Sequence, residues 1–248
     1  KKLRNTFTFY IANLAITDLM VGMVAMLFYT FDTVLGYWPF GQFMCGVWIF
    51  FDYAMTFASV FTLVAISLDR YIPMRIILFY PVMCSLFGFI MFYSRFAVIA
   101  IWMPPFIIDR VSHSSPGVCW WDPSQNTEFV YVIAIVGHHL PCLIIIYCYT
   151  WVVVITRDKF RQVKETSAQR ERNMFVTLSY ILVTYLICWL PFHIIFDLSF
   201  LMPGLVSEKL YTFGFWMAYF NSTLNPIIYT YSNSGFRRAF KKVITCRK

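Results

Sequence analysis

Asp18, Asp52, Asp69, Arg70, Arg95, His138, His139, His193 and Asp197 all lie within long apolar runs of this 248-residue chain. A charge in such surroundings is costly and is kept where it pairs, carries an ion or meets a ligand. Asp52 is the most informative. Trp48, Asp52, Met55, Thr56 and Ser59 recur at three- and four-residue spacing, which on a helix stacks them on one face and turns a carboxylate toward whatever that face covers. A carboxylate so placed binds a cation or is neutralised. Tyr53, Trp102, Trp189, Phe192, Phe215, Trp216 and Tyr219 fall at the same depth of neighbouring runs. Such rings cage an ammonium by cation–π attraction, about 2 kcal/mol or more per contact when desolvated. The plainer alternative is that Asp52 accepts a hydrogen bond from a tyrosine and the rings are core packing; spacing leaves both open. Other chemistries fare worse. The ionisable residues form no nucleophile, base and orienting group at helical spacing, which argues against an enzyme. Cys45, Cys84, Cys119, Cys142, Cys148, Cys188 and Cys246 form neither a C-x-x-C pair nor a Cys/His cluster, so neither a zinc site nor a disulfide scaffold is expected.

The elements that carry these residues follow from composition. The chain is 60% hydrophobic and 13% charged, against roughly 45–50% and 25% for a soluble domain. Its 27 Phe, 16 Tyr and 8 Trp exclude disorder. Membrane helices need about 20 mainly apolar residues, and the sequence predicts six, over 7–29, 43–71, 77–108, 129–156, 171–202 and 210–231. Unalternating runs of this length argue against a membrane barrel. All of the 20 Lys and Arg except Arg95, Arg110 and Lys209 fall on one side of these spans, which orients that side to the cytosol and excludes nucleic acid as the reason for the net +8 charge. Residues 1–248 read as one multi-pass membrane domain, with an amphipathic helix over 235–245 behind the last span. An even number of spans leaves both ends in the cytosol. The basic start, Lys1 to Asn5, reads as a connection following an earlier helix, so the sequence is expected to be a fragment. A transporter or channel is a rival, opposed by the lack of a continuous polar path and of paired interrupted helices.

The motifs resemble those of rhodopsin-like G-protein-coupled receptors. Asn13-Leu-Ala-Ile-Thr-Asp18, Ser-Leu-Asp69-Arg70-Tyr71, Cys188-Trp189-Leu-Pro191 and Asn225-Pro226-Ile-Ile-Tyr229 stand in order, each on its expected helix, and Pro141 and Tyr149 keep the family's spacing. The resemblance implies an all-α seven-transmembrane bundle of which the second to seventh helices are present. It pairs Cys45 with Cys119. It makes Asp69, Arg70, Tyr71, Glu171, Tyr149, Pro191, Asn225, Pro226 and Tyr229 an activation switch, with Arg70 held by Asp69 and Glu171 until the sixth helix of the family swings outward. Trp189 becomes a ligand sensor. Asp18, Ser59, Asn221, Ser222 and Asn225 match an inner site for sodium, an oxygen-only set suited to a hard cation; a polar seam without an ion is the alternative. Cys246, behind the amphipathic segment, is a candidate for palmitoylation. The implied partners are a small cationic ligand, a heterotrimeric G protein, arrestin and receptor kinases, the implied location the plasma membrane, and no cofactor beyond the sodium ion is expected.

Asp52 stands where the amine group of that family binds its ligand's ammonium. The resemblance extends the ligand set to Tyr53, Trp48, Thr56, Trp102, Trp189, Phe192, His193, Phe215, Trp216 and Tyr219, and within the group it is greatest to muscarinic acetylcholine receptors. Ile133, Ala134 and Gly137 stand where catechol-binding members carry serines, which disfavours a catecholamine. Departures are present: Phe192 and Phe215 replace tyrosines, His193 an asparagine and Tyr185 a phenylalanine, and no tryptophan accompanies Arg95. The expected function is a receptor for an acetylcholine-like amine; another amine such as histamine or tyramine, or a peptide, is the alternative.

Overall fold

The computed structural model describes residues 6–75, 119, 127–162, 167–202, 204–232, 237–238, 241–242 and 245. Among them there is no strand, and four stretches, Phe9–Leu35, Gly41–Ile72, Val130–Arg157 and Phe175–Ser199, are long and apolar enough to cross a membrane. Lipid offers backbone groups no partners, so the helix must satisfy its own. The sequence-expected span over 77–108, with Arg95 and Trp102, lies outside the described residues, as do Cys246 and most of segment 235–245.

The first rod is α1 (Thr6–Met20), a π-helical turn (Val21–Ala25) and α2 (Met26–Leu35). It runs past the expected end at Tyr29. The hydroxyls of Thr30 and Thr33, just past that end, bond back to the carbonyls of Met26 and Tyr29, at 2.6 and 2.8 Å, so neither residue breaks the helix. Gly36, at φ 71°, ends it in the left-handed conformation that lacks a Cβ penalty only for glycine. α3 (Gly41–Arg75) follows after a five-residue turn in which Trp38 folds under and donates its indole N–H to the Gly41 carbonyl at 2.8 Å. The next described rod, which by the resemblance stands at the family's fifth helix position, repeats the first: α4 (Thr127–Val132), a π turn (Ile133–His139) and α5 (Leu140–Gln162). Two long helices close the set, α6 (Ser167–Leu201) and α7 (Glu208–Ser232), carrying Pro191 and Pro226 in their interiors. Each proline removes a helical hydrogen bond and weakens its helix against bending at that point. α6 begins four residues before the expected 171, since Ser167 to Arg170 continue a helix-forming composition.

α3 packs against both α1 and α5, and α6 runs along α7. Between them lies one core of Tyr10, Leu14, Phe57, Leu63, Ile66, Ile145, Ile181, Tyr185 and Phe196, each nearly sealed from solvent. The outward faces are apolar as well: Phe9, Phe43, Leu143 and Ile187 are all exposed, as a surface facing hydrocarbon requires. Gly137 sets the approach of the fifth-position rod to α3. A Cβ there would collide with the Phe57 ring, so that ring packs directly on the Gly137 backbone only because glycine carries no side chain.

Candidate functional site

The outer ends of the rods are held by a covalent tie. Cys45, near the start of α3, is disulfide-bonded to Cys119 with Cα atoms 5.5 Å apart. Trp38, Trp48 and Ile49 bury it, and the indoles of Trp38 and Trp48 stack at 5.0 Å. Trp48 also donates its indole N–H to the carbonyl of Ala25, the last residue of the first π turn, at 3.2 Å. This contact fixes α2 against α3.

Beside this tie opens a cavity of about 320 Å³, at the small end of the roughly 300–1,000 Å³ typical of ligand sites. Asp52 lines it. Its Oδ2 accepts a hydrogen bond from the Tyr219 hydroxyl at 2.9 Å, whereas its Oδ1, equally buried, has no partner. Aromatic rings converge around the pair. Tyr29 stands 5.5 Å from Tyr219, 5.6 Å from Trp216, 5.3 Å from Phe215 and 6.2 Å from Trp48, ring centre to ring centre. The arrangement is a carboxylate with one oxygen anchored and one open, walled by π faces.

Of the sequence-expected ligand residues, Trp48, Asp52, Tyr53 and Phe215 line this cavity. Tyr219 touches it through Asp52, and Trp216 through Tyr29. Trp189, Phe192 and His193 stand one layer behind, with the Phe192 ring edge-on to Phe215 at 5.1 Å. Thr56 lies a turn inward of Asp52 on α3, outside the lining. His193 is occupied elsewhere: its ring stacks on His138 at 4.8 Å, and its Nδ1 lies 3.8 Å from the Cys142 sulfur, itself 3.7 Å from the Tyr185 hydroxyl. His139 Nε2 lies 3.2 Å from Asp197, so histidines and carboxylate together form a polar seam between the fifth-position rod and α6.

Tyr29, Asp32, Thr33, Tyr37, Glu208, Tyr211 and Thr212 also line the cavity, and sequence reasoning missed them. Tyr29 was taken for a helix end. A π turn carries one extra residue, which rotates everything beyond it by about 100°, so Tyr29, which unbroken spacing would align with Asp18, is swung to a different face. The signal available was the run of Tyr29, Thr33 and Tyr37 at four-residue spacing just beyond the expected end.

A second polar centre lies deeper. Asn225 donates from Nδ2 to both oxygens of Asp18, at 3.2 and 3.0 Å, and the Tyr229 hydroxyl donates to Oδ2 at 3.4 Å. Ser222 is also within hydrogen-bonding reach of Asp18. Ser59 Oγ, Asn221 Oδ1 and Asn225 Oδ1 are buried without partners. These surplus oxygens fit a hard cation, which is the donor chemistry sodium takes. Among the described residues no group of His, Cys, Asp and Glu is arranged to hold a transition metal. At the inner end, Arg70 reaches Asp69 at 3.7 Å, Tyr71 and Tyr147 meet through their hydroxyls at 3.5 Å, and Tyr149 stacks on Phe175 at 6.1 Å. Glu171 falls near the start of α6, with its side chain outside the described set.

The model of the 7 transmembrane receptor (rhodopsin family) matches residues 1–229. The chain is 28% identical to the octopamine receptor beta-1R of Drosophila melanogaster, over 98% of its own length and 56% of that receptor. It is 27% identical to the human alpha-1A adrenergic receptor, over 100% of its length and 63% of that protein. It is 28% identical to the histamine H2 receptor of Canis lupus familiaris, over 100% of its length and 72% of that protein. The chain thus spans little more than half of the octopamine receptor it matches.

Proposed function

The chain belongs to the rhodopsin family of seven-transmembrane receptors, and from that premise we propose that it is a plasma-membrane receptor for a small cationic amine. The observation that carries the reading is the unpartnered Oδ1 of Asp52, buried at the wall of an aromatic cavity while its twin is held by Tyr219. An ammonium fits both demands at once. It pairs with the carboxylate and presents its polarised hydrogens or methyls to the rings of Tyr29, Tyr53 and Trp48. The three relatives named above, receptors for octopamine, adrenergic ligands and histamine, support an amine in this position. Ile133, Ala134 and Gly137 offer no hydroxyl to a catechol. An acetylcholine-like ligand rests on motif resemblance alone, and histamine or tyramine is the second reading, favoured by those relatives.

Signalling follows from the stacked polar centres. Ligand at Asp52 bears on Tyr219 of α7, and through Phe215 and Phe192 on Trp189 of α6. α7 is weakened at Pro226, inward of Tyr219, and α6 at Pro191, between Trp189 and Phe192, so a small displacement outside becomes a larger one at the cytosolic face. There Arg70, restrained by Asp69 and in this reading by Glu171, is released to a heterotrimeric G protein, with arrestin and receptor kinases acting on the same face. Asp18, Ser59, Asn221, Ser222 and Asn225 would hold a sodium ion that favours the inactive bundle. The test is agonist-driven G-protein activation across a panel of acetylcholine, histamine, tyramine and octopamine. At least one should activate, with affinity lost in Asp52→Asn. Wild-type amine affinity in a normally expressed Asp52→Asn protein would leave only the fold standing.

A further inference from the structure

The cavity above Asp52 extends to a mouth formed by Asp32, in the last turn of α2, and Glu208, which opens α7. Among its described lining residues are three carboxylates and no Lys, Arg or His. Asp32 and Glu208 come from different helices yet lie close enough to feel each other's charge. Neither is ion-paired among the described residues. Asp32 is half-buried and Glu208 exposed, and two like charges in electrostatic reach of each other cost free energy that a shared cation relieves. Independently, the floor of the same cavity holds Asp52, 7% exposed, with its unpartnered Oδ1. The walls between floor and rim are the apolar faces of Tyr29, Trp48 and Phe215.

The vertical spacing follows from helix rise. At 1.5 Å per residue, Asp52 lies eleven residues inward of the outer end of α3 at Gly41, and Asp32 three residues inward of the end of α2 at Leu35. With these two ends, joined by a short turn, taken at one level, floor and rim are separated by about 12 Å along the helices, close to the span of an extended chain of some eight or nine carbons.

We propose that this cavity takes a dication, an α,ω-diamine or an amine with a second basic group, one cationic head on Asp52 and the other between Asp32 and Glu208. The proposal rests on the amine reading of Asp52 and adds a second anchoring point to it. A monocation would use the rim only in passing, as an electrostatic funnel that raises its rate of entry. A dication uses floor and rim together, and the second contact is then intramolecular.

The experiment measures binding of 1,8-diaminooctane and of 8-amino-1-octanol, its monocationic match in length, to the full chain in lipid vesicles. The diamine should bind at least tenfold more tightly. Asp32→Asn with Glu208→Gln should bring the diamine down to the amino alcohol while leaving the amino alcohol's affinity and the thermal unfolding profile unchanged. Asp52→Asn should weaken both probes. Equal affinity of the two probes, or failure of both to bind, overturns the proposal and leaves the single-amine reading to its own panel. An Asp32/Glu208 effect confined to the association rate of both probes also overturns it, in favour of steering. Diamine binding that survives Asp52→Asn but needs the rim overturns the two-point form and the amine reading of Asp52 together.

Discussion

Asp18 on α1 and Asp52 on α3 are carboxylates of similar burial, 4% and 7% exposed, each bonded to α7, and they are bonded in different ways. Both oxygens of Asp18 receive donors from α7, and the leftover hydrogen-bonding capacity belongs to neutral oxygens nearby. Asp52, at the wall of a cavity, has one oxygen tied to α7 and the other buried without a partner. A buried anion whose donors are built in contributes to holding its helices together; one left half-coordinated stores a demand that a ligand can meet. Burial and residue type are the same in both places, so the partners decide the role.

The sharpest test of that contrast is the same substitution at both positions. Asp52→Asn should weaken a cationic amine by about 30-fold or more, the cost of about 2–5 kcal/mol for truncating a desolvated ion-pair partner. Asp18→Asn should leave amine affinity in sodium-free buffer within about threefold and abolish any dependence of agonist affinity on sodium. Equal losses at the two sites, measured by radioligand displacement at matched expression, would erase the distinction. Next in size is Asn225→Ala, which strips the main donor from a buried carboxylate. It should lower thermal stability by about 1.5–3 kcal/mol with amine affinity retained, and a binding defect without a stability defect would count against it. Tyr219→Phe keeps the ring and removes the bond to Asp52. We expect a loss of amine affinity of about three- to tenfold, equivalent to about 1 kcal/mol, because the bond stands with and without ligand and only part of its worth enters binding; it should be visible in displacement curves and largest for the smallest amine. The smallest effect is expected of Tyr229→Phe, whose 3.4 Å contact with Asp18 is long. It should cost at most about 0.5–1 kcal/mol in thermal unfolding, and a larger cost would mean that Asp18 depends on Tyr229 more than on Asn225.

Much of this was legible in the sequence, and the reason is periodicity. Trp48, Asp52 and Ser59 lie on one uninterrupted helix, α3, where 3.6-residue spacing holds and a face can be read off directly. The pairing of Asp18 with Asn225 and of Cys45 with Cys119 joins residues 207 and 74 positions apart; no local pattern contains such contacts, and only the family resemblance supplied them. Tyr29 is missed because the expected span ends at it, whereas the helix continues to Leu35. Asp32 and Glu208 were missed because each sits at a helix end, where a lone acid reads as solvated; their significance lies in being opposite each other. His193 enters the ligand set because it stands where muscarinic receptors carry an asparagine; its ring stacks on His138 of another rod, behind the cavity lining.

The two π turns also divide the work of their rods. In the first rod the turn at Val21–Ala25 lies between Asp18 and Tyr29, and in the fifth-position rod the turn at Ile133–His139 lies outward of Pro141. Each wide turn acts as a slip joint in register: losing its one surplus residue would swing the outer segment by about 100° while the inner segment kept its orientation. A lineage carrying such joints can re-aim the residues that read the ligand by a single-codon deletion, with the signalling face of the same helix left in place. Diversity of ligands on a constant transmission core is then a mutational step available to this architecture without rebuilding either half.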